Sequence, residues 1–102
     1  KKVSSIALTA IDLKVDATLT VTGILGSATD VEVVADSATA DTTAKTVTFK
    51  VQPADGYYFA DQVTVTAGDA TTGTYPMSNF KTVLNGDGTL SITFTYGEKV
   101  TN

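Results

Sequence analysis

Residues 46–51 alternate strictly between apolar and polar side chains. The apolar members, which would share one face, are Val47, Phe49 and Val51. A period of two is the spacing of a β-strand with one buried face, whereas an amphipathic helix repeats its apolar residues every three to four positions. Residues 89–96 repeat the pattern with Leu90, Ile92, Phe94 and Tyr96. The chain is therefore predicted to build a sheet that buries one face and leaves the other polar.

Five further segments favour strands, and no segment carries apolar residues at helical spacing over a full window. These strands are predicted over residues 3–11, 17–22, 31–35, 63–67 and 79–84. The sequence Asn85-Gly86-Asp87-Gly88 predicts a tight hairpin, so the last two strands should form an antiparallel pair. The connection 36–44 is expected to be exposed, with at most a short edge strand. About seven short strands with regular turns favour an all-β, antiparallel two-sheet sandwich.

The interior of that sandwich is predicted from the apolar positions of the alternating segments. It would contain Leu19, Val21, Val33, Val47, Phe49, Val51, Val63, Val65, Leu90, Ile92 and Phe94. Burial of such side chains contributes about 1.5 to 3 kcal/mol each, which offsets chain entropy without disulfides.

The segment from Pro53 to Phe59 predicts a corner between two strands. Proline and the pair Asp55-Gly56 interrupt the preceding strand, and three aromatic residues follow. We expect Gly56 to adopt a backbone conformation that other residues resist. Tyr57 and Tyr58 would point to opposite sides of an extended chain, so one ring should be buried and the other exposed. Asp55, Gly56 and Tyr58 are assigned to this structural corner.

Length and composition limit the function classes. The chain has 102 residues and a net charge of −4, and it contains no cysteine and no histidine. Its length fits a single domain, 1–102, which we expect to be a segment of a larger protein. The negative charge argues against nucleic acid, and the apolar runs are too short for insertion into a membrane. The missing histidine and cysteine remove the usual general base, nucleophilic thiol and zinc ligands, so we expect no enzyme activity.

The second half of the chain resembles a known class of module. A strand is followed by Pro-Ala-Asp-Gly-Tyr-Tyr-Phe, then Val-Thr-Val-Thr, then a hairpin Asn-Gly-Asp-Gly-Thr-Leu-Ser-Ile-Thr-Phe-Thr-Tyr. This order is similar to the small immunoglobulin-like repeats of bacterial secreted and cell-surface proteins, in which a Gly-Tyr-x-Phe element precedes a Val-Thr-Val strand. The resemblance covers residues 44–96. It implies an immunoglobulin-like β-sandwich, in which Tyr57 or Tyr58 would act as the tyrosine corner.

Two tyrosines are candidate ligand-binding residues. Tyr57 and Tyr75 lie in or beside loops, where an exposed ring could stack on a sugar together with loop 26–30 or loop 68–73. The alternative is that Tyr57 or Tyr58 closes one end of the sandwich and that Phe59 and Phe80 belong to the core.

We expect no cofactor and no metal. Calcium is the alternative, because seven aspartates lie at predicted strand ends or in loops, namely Asp30, Asp36, Asp41, Asp55, Asp61, Asp69 and Asp87. Such residues more commonly accept hydrogen bonds from turn backbones.

The resemblance implies a non-catalytic accessory module of a bacterial extracellular multidomain protein, acting as a spacer or a protein-contact domain. Its partners would be neighbouring domains of the same polypeptide, a polysaccharide or another surface protein. A carbohydrate-binding module is one alternative, and a decoration domain of a phage capsid or tail is another.

Overall fold

The computed structural model describes residues 1–10, 13–15 and 19–101, which contain seven β-strands and no helix. The strands are β1 (Lys2–Leu8), β2 (Val31–Val33), β3 (Thr39–Asp41), β4 (Thr46–Pro53), β5 (Tyr58–Ala67), β6 (Met77–Leu84) and β7 (Leu90–Tyr96). The all-β prediction is therefore confirmed.

The larger sheet has five strands, and β4 and β7 lie at its centre. Its order is β2-β4-β7-β6, and β3 pairs with the same edge of β4 as β2 but at the opposite end of that strand. The antiparallel register of β4 and β7 sets Val47 beside Phe94 and Phe49 beside Ile92, and all four side chains are fully buried. The rings of Phe49 and Phe94 meet edge to face, with centroids 6.4 Å apart. The alternation in the sequence correctly identifies this apolar face.

The smaller sheet contains only β1 and β5, and the two strands are parallel. This arrangement departs from the predicted all-antiparallel sandwich. The chain between β1 and β5 contains β2, β3 and β4 of the larger sheet. It is therefore long enough for the crossover that parallel pairing requires. A register shift between Val3 and Ser5 breaks the period of two in β1, so that Val3, Ile6 and Leu8 all face inward.

The two sheets share one apolar core, which makes the fold sandwich-like. Val3, Ile6, Leu8 and Val63 from the smaller sheet belong to the same buried cluster as the inward face of β4 and β7. Four other predicted core residues, Leu19, Val21, Val33 and Val65, are only partly buried and pack against this cluster. The predicted first strand ends at Leu8 rather than at residue 11, which lies outside the described residues.

The predicted second strand over residues 17–22 is wrong where the structure describes it, from residue 19 onward. Thr20 forms an isolated antiparallel bridge with Lys14 rather than part of a strand, and residues 22–27 then form turns. Gly23 and Gly26 take left-handed φ values of 80° and 60°, which bend the chain and direct Ile24 into the core. Ile24 is fully buried, although the alternating pattern of the sequence does not predict it as a core residue. Residues 17 and 18 lie outside the described residues.

The predicted hairpin between β6 and β7 is confirmed, and its loop is longer than the two residues of the tightest hairpins. The Asn85 amide donates to the Thr89 carbonyl at 2.8 Å, and the Gly88 amide donates to the Asn85 carbonyl at 3.1 Å. Gly88 has a φ of 89°, whereas Gly86 is outside the left-handed region. This pattern fits a three-residue loop in which the third residue is left-handed.

Strand β6 contains a bulge close to its start. Ser78 pairs with Thr95 and Lys81 with Thr93, so Asn79 and Phe80 together lie opposite one residue of β7. Asn79 takes a φ of 55°, and the bulge turns the Phe80 ring toward Phe94, with centroids 6.2 Å apart. The predicted strand 79–84 is therefore correct in kind but begins earlier, at Met77.

We predict that Asn79→Val destabilises the protein by about 1 to 3 kcal/mol, because a β-branched residue resists a left-handed backbone. Asn79→Gly should stay close to the parent, because glycine adopts this φ without strain. The matched control is Ser78→Val, on the neighbouring extended residue, which should change stability by less than about 0.5 kcal/mol. Urea unfolding of the three variants measures the difference. Equal stabilities for the two valine variants would show that the bulge is not strained.

Candidate functional site

The predicted corner joins three segments of the chain. Strand β4 ends at Pro53, and the Tyr57 amide closes the turn by donating to the Ala54 carbonyl at 3.0 Å. Gly56 has a φ of 85°, which confirms the predicted unusual backbone. The Ala54 amide donates to the Asp30 carbonyl at 2.9 Å, and this bond ties loop 26–30 to the corner.

The first residue of the chain closes the same corner. The backbone nitrogen of Lys1 donates to the Gly56 carbonyl. The Tyr58 amide donates to the Lys1 carbonyl at 2.8 Å, which begins the pairing of β1 with β5. The corner is therefore a junction of the chain start, the turn after β4 and the loop before β2.

The rings of the two corner tyrosines differ in exposure, and Tyr58 belongs to the corner through its backbone amide rather than through a ring that closes the core. Tyr57 is half-buried and packs against the core cluster, whereas Tyr58 is 56% exposed. Tyr57 and Phe59 share the inward side because they are two residues apart, and both pack on the core. Tyr58 pairs with exposed Lys2 and faces solvent. Tyr57 is thus the ring that covers the core at this end.

Tyr75 lies at the other end of the strands and is buried, so the expectation that it offers an exposed ring is wrong. Only 5% of its surface is accessible, because its ring meets Tyr96 edge to face at a centroid distance of 6.1 Å. The Lys45 ammonium lies 5.9 Å from the Tyr96 centroid on the same side of the molecule. These residues line a groove of about 280 Å³ that also contains Val15, Thr42, Gly97 and Glu98.

The two candidate ligand-binding tyrosines therefore do not form one site. Tyr57 accompanies loop 26–30 at the corner, whereas Tyr75 accompanies loop 68–73 at the far end, where the Gly73 amide donates to the Val100 carbonyl at 2.8 Å. A flat sugar face needs an aromatic ring in solvent, and the ring that meets this requirement at the corner is Tyr58. Its ring is exposed because it alternates with Tyr57 and Phe59, which pack on the core.

A larger groove of about 580 Å³ lies between residues 19–26 and 33–38. Its lining mixes aliphatic side chains with backbone and hydroxyl groups. Ser37 has a structural role there, because its Oγ donates to the Val34 carbonyl at 2.7 Å and accepts from the Lys50 amide at 3.0 Å. The groove could admit a small molecule, but it brings no pair of acidic side chains together among the described residues that line it.

The aspartates with described contacts serve turns. Asp41 Oδ1 accepts the Thr43 and Ala44 amides at 3.0 and 2.9 Å, just before Lys45 takes a left-handed φ of 60°. Asp87 Oδ1 accepts from the Thr89 hydroxyl at 2.7 Å and from its amide at 3.0 Å. These hydrogen bonds lower the pKa of Asp87 below its ordinary value, and the bond from the Thr89 hydroxyl has the largest effect. Over the described ranges, no three acidic residues converge as metal ligands.

We predict that Tyr57→Ala lowers the free energy of unfolding by about 2 kcal/mol, because it uncovers one end of the core. Tyr58→Ala serves as the matched control and should change stability by less than about 0.5 kcal/mol, because its ring is mostly in solvent. Thermal or urea unfolding of the two variants gives the comparison. Similar small losses in both would mean that the corner ring does not stabilise the fold.

Comparison with known proteins adds no relative: no protein-family model, no curated protein and no solved structure matches this chain. Across the described residues, no helix is long and apolar enough to cross a membrane. The immunoglobulin-like resemblance of residues 44–96 therefore remains a prediction. What is established is an all-β, sandwich-like domain with its two aromatic candidates at opposite ends.

Proposed function

We propose that the chain is a non-catalytic, immunoglobulin-like accessory module of a bacterial extracellular multidomain protein, acting as a spacer or a protein-contact domain. The observation that carries this proposal is the position of its first and last described segments, which lie at opposite ends of the strands. Polypeptide entering at Lys1 would leave near Val100 at the other end, so neighbouring domains would be held apart.

The strand directions establish these positions. Lys1 is bound at the corner, where β4 ends and β5 begins. Strand β7 runs antiparallel to β4, so Tyr96 lies at the end away from the corner. The molecule measures 42 × 24 × 22 Å, and the ten residues of β5 alone span about 33 Å, so the long axis follows the strands.

Both segments are fixed to the fold, which a spacer requires if it is to orient its neighbours. Lys1 is held at the corner by the bonds to Gly56 and Tyr58. At the far end, the Val100 amide donates to the Thr74 carbonyl at 2.8 Å, and its own carbonyl accepts from Gly73. A linker attached to either segment would therefore begin at the surface of the domain rather than at a loose tail. The absence of histidine and cysteine from the sequence supports the non-catalytic part of the proposal.

The test of the spacer role is deletion of residues 1–102 from the full-length protein, followed by small-angle scattering. We expect the maximum dimension to fall by about the 42 Å length of the domain while the activities of other domains persist. Replacing the domain with an unrelated β-sandwich of equal length should restore both the dimension and function if it is a spacer. Restored length without restored function would identify a contact domain. An unchanged maximum dimension after deletion would refute the end-to-end arrangement.

Polysaccharide binding is a second candidate, favoured by the exposed ring of Tyr58 at the corner. The ring lies beside the bound start of the chain and on the same end as loop 26–30, which could supply hydrogen bonds to sugar hydroxyls. Tyr75 is buried and Tyr57 is half-buried, so Tyr58 is the residue on which this candidate depends.

Affinity electrophoresis against plant and storage polysaccharides tests this candidate. If the corner binds sugar, Tyr58→Ala should abolish retardation, because the stacking surface is removed, whereas Tyr75→Phe should preserve it. Tyr75→Phe is the matched control because it keeps the buried ring at the far end. Retardation that is unaffected by Tyr58→Ala, or absent with every polysaccharide, would reject binding at the corner.

A further inference from the structure

The pairing of β1 with β5 has a mechanical consequence that depends on its direction. The strands are parallel and pair in two blocks, Lys2 and Val3 beside Tyr58 and Phe59, then 5–8 beside 64–67, with residues 60–63 of β5 opposite Ser4 between the blocks. Hydrogen bonds mark both limits of the pair, from the Tyr58 amide to the Lys1 carbonyl and from the Gly68 amide to the Leu8 carbonyl. Both ends of β1 are therefore attached to β5, and the pairing is interrupted at Ser4.

Tension applied through the two ends of the domain would act along β1. Lys1 lies at the corner, and β1 runs from there toward the far end, so a pull on Lys1 away from the domain draws the strand along its own axis. The bonds between the strands run at an angle to that axis rather than along it, so the bonds within each block are loaded together rather than one after another. Sliding also has to draw Val3, Ile6 and Leu8 out of the shared core.

Tension at the other end meets a similar resistance. Beyond Tyr96 the tail is held by the bonds of Val100 to Gly73 and Thr74, which can open without disturbing either sheet. The load then reaches β7, which lies between β4 and β6 and is paired with both. A pull on Tyr96 away from the domain again runs along the strand. Because β1 has one neighbouring strand and β7 has two, β1 should slide first.

We propose that this domain bears tensile load and that the parallel pair β1–β5 is the clamp that sets its mechanical resistance. The proposal rests on the module function given above, in which tension enters at one end and leaves at the other. It adds that the module resists extension as well as separating its neighbours.

Single-molecule force spectroscopy tests the clamp by changing only the direction of pulling. The chain contains no cysteine, so thiol handles can be placed uniquely. Handles at Lys1→Cys and Thr101→Cys load β1 along its axis, whereas handles at Lys2→Cys and Asp55→Cys pull from the corner alone and peel β1 from β5. All four positions are exposed. We expect a rupture force several-fold higher for the first pair at the same pulling speed, with equal urea midpoints for the two proteins.

Two conservative substitutions identify the strand that yields. Ile6→Val in β1 and Ile92→Val in β7 remove the same methylene from buried positions. Forced unfolding follows the unfolding rate, which changes only if the contact is broken in the transition state. Ile6→Val should therefore lower the end-to-end rupture force, and Ile92→Val should lower equilibrium stability with little change in that force.

Equal rupture forces in the two pulling directions, or a larger effect of Ile92→Val, would overturn the clamp. The deletion experiment tests the spacer role separately. A high end-to-end force combined with an unchanged dimension after deletion would support the clamp as a property of the fold and refute its use between neighbouring domains.

Discussion

The apolar face formed by β4 and β7 must be covered, and the rest of the structure follows from how the chain covers it. Each of these strands buries every second side chain, so the central sheet has one dry face and one face rich in threonine and serine. On the polar face, Thr48 and Thr93 share a hydrogen bond of 2.9 Å between their hydroxyls. Among the described residues, the cover on the dry face is thin, because it consists of the two-stranded sheet together with Leu13, Val15 and Ile24.

The two-stranded cover depends on the common core and leaves part of the dry face to the irregular segment before β2. An isolated two-stranded sheet is only marginally stable in water. The pair β1 and β5 therefore depends on the burial of its apolar side chains in the common core, namely Val3, Ile6, Leu8 and Val63. The remainder of the dry face is filled by the turns at residues 22–27, which direct Ile24 inward. In this part of the core, turns take the place of a strand. The shape of the space left on the dry face, rather than strand pairing, determines which side chain fits there.

The strands of the central sheet could be predicted from sequence because their signals are local. The alternation in β4 and β7 and the glycines at residues 86 and 88 specify strand, face and hairpin without reference to distant residues. The parallel partner of β1, the burial of Ile24 and the contact between Tyr75 and Tyr96 depend on residues far apart in the chain. The candidate ligand-binding residues were misplaced for this reason, because exposure of a ring is decided by its tertiary neighbours.

The two ends of the domain differ in the exposure of their aromatic rings. At the far end, two tyrosine rings pack on each other under Lys45, so aromatic surface is withdrawn from solvent. At the corner, Tyr58 is exposed next to a turn in which Gly56 is bonded to Lys1. An exposed aromatic ring on a rigid turn loses little conformational freedom on contact, which favours binding. If the proposed contact or polysaccharide-binding role holds, the ligand should bind at the corner rather than at the far end.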